Sequence, residues 1–536
     1  MTEIDCPRPL FLYSQPEQRL ASLINAGQER ALQGGETGLE KESLRVGPDG
    51  SIAQTPHPAT LGSALTHPWI TMDYSEALLE FITPPLATPA AALAFLRDLQ
   101  QFAYLNLHGE LLWSSSMPCV VEGGGSIPIA QFGTSNTGRM KTVYRRGLGH
   151  RYGRVMQVIA GAHYNYSFPE GFWPVYQDAL KDTRPLQNFI SDCYLHLIRN
   201  LQRIGWLVPY LFGSSPAICK SFMCGRPTIL EEFNETTFYA PHATSLRMCD
   251  IGYQNAHENE DGFKARYDDL DSYIDSLTRA IETPCPSHEA IGVKVDGEYR
   301  QLNANILQIE NEYYSSVRPK QVPGLDEKPT LALKRRGVRY VELRSPDINV
   351  YDPLGITLEQ CRFLEIMMAF CLFHESPFID AQEQIEIDTN LDAICYRGRE
   401  PGLSLQRNGV RLPLRRWADE LCDAMTGFAE ALDAGAADGP YRTALQAQQE
   451  TVRDPDRTPS ARILADMREH GEGYFHFAKR MSLQHQEYFL GLPRNAATIT
   501  RLEASVEQSI RDKQEREGSE TRSFDEYLRD YFAQQL

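Results

Sequence analysis

Glu40 and Glu42 stand two residues apart in GLEKESLRV (38–46), and Glu342 and Arg344 stand two apart in RYVELRSPD (339–347). On a strand, successive side chains turn to opposite faces, so each pair shares a face with its members about 6.6 Å apart. Leu39, Val341 and Leu343 take the other side. GAHYNYSF (161–168) repeats the pattern, with His163, Asn165 and Ser167 opposing Tyr164, Tyr166 and Phe168. LQIENEYY (307–314) reads the same way, with Gln308, Glu310 and Glu312 opposing Leu307, Ile309 and Asn311. The wet face of an antiparallel sheet also alternates, but it is usually a Lys/Thr/Ser mixture. Here the polar residues are Glu, His, Asn and Arg, which points to a site.

WITMDYSEALLEF (69–81) adds Asp73, Glu76 and Glu80. A helix would set all three on one stripe. Because FIT runs into Pro84-Pro85, a turn entering a strand is the better reading. Glu76 and Glu80 then share a face, with Asp73 in the entry turn. Two carboxylates 4 Å apart repel by about 4 kcal/mol at an effective dielectric near 20. Either their pKa values rise or cations sit among them. Oxygen ligands with one His suit Mg²⁺ or Mn²⁺ better than zinc. Such ions share their coordination with phosphates, so a nucleotide reaction is the chemistry to expect.

The basic residues form a separate group. GTSNTGRMK (133–141) spaces two glycines as a Walker A loop does, but Arg139 and Met140 stand where Lys and Ser/Thr belong. It is not a phosphate loop. Arg139, Lys141, Arg145, Arg146, Arg151 and Arg154 cluster around Tyr144 and Tyr152, while SSVRPK supplies Arg318 and Lys320 and ATSLRMCDIGY supplies Arg247 and Tyr253. A net charge of −18 argues against nucleic acid. Small anions, a triphosphate or an amino-acid carboxylate, fit such a group, and pairing to acids on helix surfaces accounts for the remainder.

These residues need elements to hold them. Residues 1–33 read as a helical lead-in, and 36–355 alternate short strands with helices and Gly/Pro-rich loops, which makes the class α+β. From 356 to 536 the pattern is mostly helical, and the tail from 498 reads as a solvated helix docked by a weak apolar stripe. DAGAADGP (433–440) is a turn between helices, so 1–536 is expected to be a single composite domain. The eleven cysteines show no CxxC or zinc spacing, which suggests reduced thiols with at most one bridge. The first residues lack the apolar stretch of a signal peptide, and IMMAFCLF (366–373) is too short to cross a bilayer. A cytoplasmic protein with no membrane or nucleic-acid partner is expected.

Taken together, GLEKESLRV, LGSALTHPWITMDYSEALLEFIT, QFGTSNTGRMKTVYRRGL, GAHYNYS, PYLFGSSPA, ATSLRMCDIGY, LQIENEYYSSVRPK and RYVELRSPDIN resemble the proteobacterial glutamate–cysteine ligases, in order from about 38 to 360. The resemblance implies a glutamine-synthetase-like fold, an antiparallel sheet curled into a funnel and surrounded by helices. It implies ATP-dependent phosphorylation of the γ-carboxylate of L-glutamate, then attack by the amine of L-cysteine to give γ-glutamylcysteine. By resemblance Glu40, Asp73, Glu80, His163 and Glu342 match metal positions for Mg²⁺, with Glu42 as an addition. Arg344, Glu342 and Arg247 are the expected catalytic residues, with Arg344 steadying the phosphoryl group of ATP. Tyr144, Arg145, Leu148, Gln157, Arg247, Tyr253 and Tyr314 are expected around the amino acids, with Tyr74 beside the thiol pocket where relatives carry Phe. A monomer inhibited by glutathione is also implied.

Two other classes compete. A glycoside hydrolase would use two carboxylates and leave His163 and Arg344 without a role. A binding protein that had lost turnover would have no need of Glu40, Glu342 and Arg344 together. Within the ligase class, another amine acceptor is the alternative.

Overall fold

The computed structural model describes residues 13–252 and 263–535. Its centre is a seven-stranded sheet in which every named pairing is antiparallel. The strands are β1 (Glu36–Val46), β2 (Ile70–Met72), β3 (Leu78–Ile82), β4 (Leu111–Leu112), β5 (Ala162–Ser167), β6 (Val317–Lys320) and β7 (Tyr340–Leu343). The order is β6-β7-β5-β1-β3-β2, with β4 on the far end of β1. Four of the five segments expected to be strands are strands. The exception is LQIENEYY, where Glu310–Glu312 form a turn of 3-10 helix.

The alternation in the sequence sets what each face does. Leu39, Leu79, Phe81, Tyr164, Tyr166, Val317, Val341 and Leu343 turn to one side and join the main core cluster. Helices α2 (Pro89–Asn106), α4 (Leu186–Ile204) and α5 (Leu358–Phe373) cover that side. Helix α5 contains IMMAFCLF, and all eight of those residues are buried. A helix that is apolar all round belongs inside a protein, and each large side chain so buried contributes about 1.5–3 kcal/mol. Thr357 and Gln360 form a capping box that starts α5. The same cluster includes Leu421, Phe428 and Leu445 from the helical C-terminal half, so both halves of the chain share one core.

Of the expected lead-in, residues 1–12 lie outside the described residues; within 13–33 the helix is Ser14–Asn25, which is α1, and residues 26–33 form turns before β1. The expected tail helix is two helices, α6 (Ala496–Ser519) and α7 (Phe524–Phe532), separated by a capping box at Ser523 and Glu526. The apolar stripe expected there belongs to α7, whose Phe524, Tyr527, Leu528 and Tyr531 bury against Met140 and Val143 of α3 (Asn136–Arg151) and Leu302. Cys119 and Cys219 form a disulfide. Among the described residues no helix is long and apolar enough to cross a membrane.

Candidate active site

The face of the sheet turned away from α5 gathers the acids. Register places Glu40 opposite His163, Glu42 opposite Glu80 and Glu342 opposite Asn165, so four adjacent strands contribute to one surface. His163 stands at its centre. Its Nδ1 lies 3.2 Å from Glu40 Oε2 and 3.7 Å from Glu342 Oε1, and its Nε2 lies 3.9 Å from Glu42 Oε1. Asn165 donates to Glu40 Oε1 at 2.9 Å. One ligand atom each from Glu40, Glu80 and His163 lie within 4.8 Å of one another. Carboxylate oxygens with a single imidazole make a donor set that fits a hard divalent cation.

The acids titrate apart. Burial raises Glu80 well above the usual carboxylate range, and Glu40, Asp73 and Glu42 push it further. Burial also raises Glu42, against the pull of His163. Glu40 is lowered: burial and Glu342 oppose ionisation there, but the bond and charge of His163 together with Lys320 outweigh them. Glu342 is held well below the usual range despite its burial, by Lys320, Arg344 and His163. Its Oε2 lies 3.4 Å from Lys320 Nζ and 3.6 Å from Arg344 NH1. Where carboxylates crowd without cations the proton is held, and where cations flank them the charge is held.

Arg344 and Asp73 also line a cavity of about 400 Å³. Helix α3 forms one wall with Lys141, Tyr144, Arg145 and Leu148, and Tyr74, Gln157 and Tyr314 close others. Arg145 donates to the Asp73 carbonyl and lies over the Phe132 ring, 4.5 Å from its centroid. Arg247 is buried beneath, donating to the carbonyls of Arg344 at 2.9 Å and Ser345 at 3.2 Å. Asp347, itself held by Ser214, Ser215 and Ser245, lies 3.6 Å from that guanidinium. A Cβ at Gly161 would collide with Arg247, and the Gly161 N–H donates to Glu42 at 2.6 Å. That glycine therefore joins the arginine to the acidic face.

Several expectations need correction. Glu76 does not face Glu80 into the site; it accepts from the His57 and Gln131 backbone N–H groups at 2.8 and 2.7 Å. Glu310 and Glu312 do not join the acidic face, although Glu312 lines the cavity. Glu312 takes buried Arg151 at 2.7 Å and the Tyr152 hydroxyl at 2.8 Å, and Glu310 takes Thr330 at 2.6 Å. These contacts hold both side chains within a turn of 3-10 helix, and Glu310 Oε2 keeps no hydrogen-bond partner among the described residues. Of the basic cluster, Lys141 and Arg145 reach the cavity, whereas Arg146 and Arg151 serve Glu298 and Glu312. Tyr253 lies outside the described residues. Sequence reasoning did not find Tyr527 and Tyr531, which line the cavity from α7. The spacing of Phe524, Tyr527, Leu528 and Tyr531 was readable as a helix stripe, but its docking place was not.

This geometry agrees with what comparison finds. The glutamate–cysteine ligase family profile matches residues 20–394. A glutamate–cysteine ligase from Alcanivorax borkumensis is 48% identical over 521 residues, covering 96% of this chain and 99% of that protein. One from Azotobacter vinelandii is 48% identical over 519 residues, covering 96% and 98%. The crystal structure of the Francisella tularensis glutamate–cysteine ligase in complex with AMP superposes with a TM-score of 0.87 at 34% identity, covering 93% of this chain and 98% of that one. A bifunctional glutathione synthetase from Pasteurella multocida shares the fold, with a TM-score of 0.69 at 22% identity over 88% of this chain and 55% of that one. With a sheet face of converging acids, an arginine-lined cavity beside it and relatives matched along nearly their whole length, this chain belongs to the glutamate–cysteine ligase family.

Proposed function

We propose that this chain uses ATP to join the γ-carboxylate of L-glutamate to the amine of L-cysteine through a γ-glutamyl phosphate, giving γ-glutamylcysteine, the first step of glutathione synthesis. One observation carries the reading. The carboxylate–imidazole face on four strands meets Arg344, and Arg344 also lines a cavity of amino-acid size.

Glu40, Glu80 and His163, with Glu42, Asp73 and Glu342 around them, would hold Mg²⁺, for which Mn²⁺ is a fitting substitute. An ion held there would supply positive charge to offset that of the triphosphate. Arg344 lies beside Glu342, so its guanidinium meets the phosphoryl group as charge spreads over its oxygens. Arg145, and Arg247 pinned against the backbone, offer cations to the amino-acid carboxylates. Tyr74, Tyr144, Leu148, Gln157 and Tyr314 enclose the acceptor and keep water from the acyl phosphate. No side-chain nucleophile is required, because the substrate itself carries the activated group.

The reading is tested by ADP release with Mg·ATP and glutamate, adding one amine at a time. Release that needs glutamate and rises most with cysteine is the expected outcome. No release with any amine, in magnesium or manganese, would defeat it. Replacing Arg344 with Ala should lower kcat by about 10²–10³-fold, the cost of removing one group that stabilises transition-state charge, while metal binding by calorimetry is retained. Undiminished turnover would remove Arg344 from the mechanism.

The shared core supports treating 36–355 and 356–536 as one catalytic unit, and the buried thiols Cys193, Cys361 and Cys371 favour a reducing, cytoplasmic setting. Family membership favours a monomer inhibited by glutathione, which carries both substrate units. Light scattering and inhibition kinetics test these two points.

A further inference from the structure

Three of the family-like segments carry residues that the proposed reaction does not use. Ser214 and Ser215 lie in PYLFGSSPA, Ser245 in ATSLRMCDIGY and Asp347 in RYVELRSPDIN. All four are buried, and they meet at one carboxylate. Asp347 Oδ2 accepts from the Ser214 N–H at 2.8 Å and the Ser215 hydroxyl at 2.6 Å, while Oδ1 accepts from the Ser245 hydroxyl at 2.8 Å. Asp347 is 2% exposed and takes no part in lining the cavity. Burial pushes its carboxyl up, and Arg247 and the three bonds pull the other way. A carboxylate so deeply placed is tolerated where a cation and hydrogen bonds meet it.

That cation is Arg247, and Asp347 holds it at both ends. Arg247 NH1 lies 3.6 Å from Asp347 Oδ1. The Ser215 hydroxyl oxygen, which donates its proton to Asp347, also accepts the Arg247 backbone N–H at 3.3 Å. Gly161 bounds the guanidinium on another side, and its backbone bridges to Asp347. So placed, the guanidinium donates to the carbonyls of Arg344 and Ser345, two successive residues of one segment. A planar group bonded to consecutive carbonyls fixes the peptide plane between them.

The Arg344 N–H donates to the Ser316 carbonyl at 2.8 Å, so the backbone of Arg344 is tied on both sides. From there its side chain runs to Glu342 and over the Tyr314 ring, 5.9 Å from the centroid. Among the described residues Asp347 is the one carboxylate within salt-bridge distance of Arg247. Without that charge Arg247 becomes a buried cation lacking a close partner, which is costly and free to reorient.

We infer that Asp347 is a positioning residue for the ligase reaction: it balances and orients the Arg247 guanidinium, whose grip on the Arg344 and Ser345 carbonyls sets the direction in which the Arg344 side chain reaches the acidic face. The inference rests on the ligase reading and adds a residue that works through Arg344 from outside the cavity.

The test measures ADP release with Mg·ATP, glutamate and cysteine by the native protein, D347N, R344A and the double variant. Asn keeps the shape of Asp347 and removes its charge. In D347N kcat should fall about tenfold, the lower end of what losing an orienting partner costs behind a functional group. In the R344A background the same change should lower kcat by less than about twofold, because the side chain being positioned is already gone. A merely structural role lowers the amount of active protein equally in both backgrounds. Equal falls therefore overturn the inference and leave the ligase reading standing, as does native kcat in D347N. Undiminished turnover by R344A overturns it as well. If D347N fails to fold, S245A decides, since it removes the bond to the oxygen that faces Arg247 and leaves the charge. Its kcat should fall about threefold in the native background and hold in R344A, in keeping with the loss of one hydrogen bond. Native kcat in S245A, or equal falls in both backgrounds, then overturns the inference. No glutamate-dependent release by the native protein with any amine overturns both the inference and the ligase reading.

Discussion

Glu365 lies behind the active-site sheet, on α5, with its carboxylate between the hydroxyls of Tyr166 at 3.2 Å and Tyr441 at 2.7 Å. Burial pushes its pKa up to about 7 although both tyrosine bonds oppose the rise. A carboxyl raised on folding binds its proton more tightly in the native state. Its stabilising effect is therefore present below the unfolded value near 4.5 and is lost as pH rises through about 7. Replacing Glu365 with Gln keeps the shape and removes the charge. Above pH 7 the variant should be more stable by up to about 3 kcal/mol, the free energy that corresponds to a rise from 4.5 to about 7. Urea unfolding from pH 5 to 8 checks this. Parallel stability curves for both proteins would show that Glu365 is not the titrating group.

At the scale of elements, β1 serves two layers at once. Glu40 and Glu42 face the site, while Leu39 packs into the core and Lys41 bonds Gln100 at 2.5 Å on the opposite side. Helix α7 is the less expected contributor. Its four buried side chains each add about 1.5–3 kcal/mol of burial, and two of them wall the cavity. A chain ending at residue 522 should melt at lower temperature and show KM for at least one amino-acid substrate raised about tenfold, equivalent to 1.4 kcal/mol of lost binding. If Tm falls while every KM holds, α7 braces α3 and does not help to bind substrate.

For the whole molecule, the sheet holds four glutamates from three strands on one surface, with His163 from a fourth, which the fold tolerates by keeping protons on some and cations beside others. An ion bound there in the native state alone adds stability by mass action, about 2.7 kcal/mol at a hundred times its Kd. Thermal melts should therefore rise with Mg²⁺ and fall on chelation, and Glu40→Gln should blunt the response. Melts indifferent to Mg²⁺ and Mn²⁺ would weigh against the metal assignment.

Much of the site was legible along the chain because side-chain parity on a strand is local and has a period of two. Glu40 with Glu42, His163 with Asn165 and Glu342 with Arg344 could be assigned to shared faces without knowing any partner strand. The same local rule misled at LQIENEYY, which forms a turn of 3-10 helix whose acids pair with Arg151 and Thr330, remote in sequence. Glu76 likewise had the right spacing but went to two backbone N–H groups. The fold class followed from the interleaving of strands and helices, together with motifs that resembled a known family.

By itself, then, the sequence determined which residues face together on most strands, that an acidic surface would need either held protons or cations, and that the C-terminal half would be mostly helical. Only the tertiary structure decided that β7, β5, β1 and β3 lie side by side in this register, bringing His163 within 4 Å of three carboxylates. It alone placed α7 against the cavity and the Asp347 carboxylate beside Arg247. The physical reason is that register and docking depend on packing between segments distant in the chain, and such packing leaves no periodic mark in either segment.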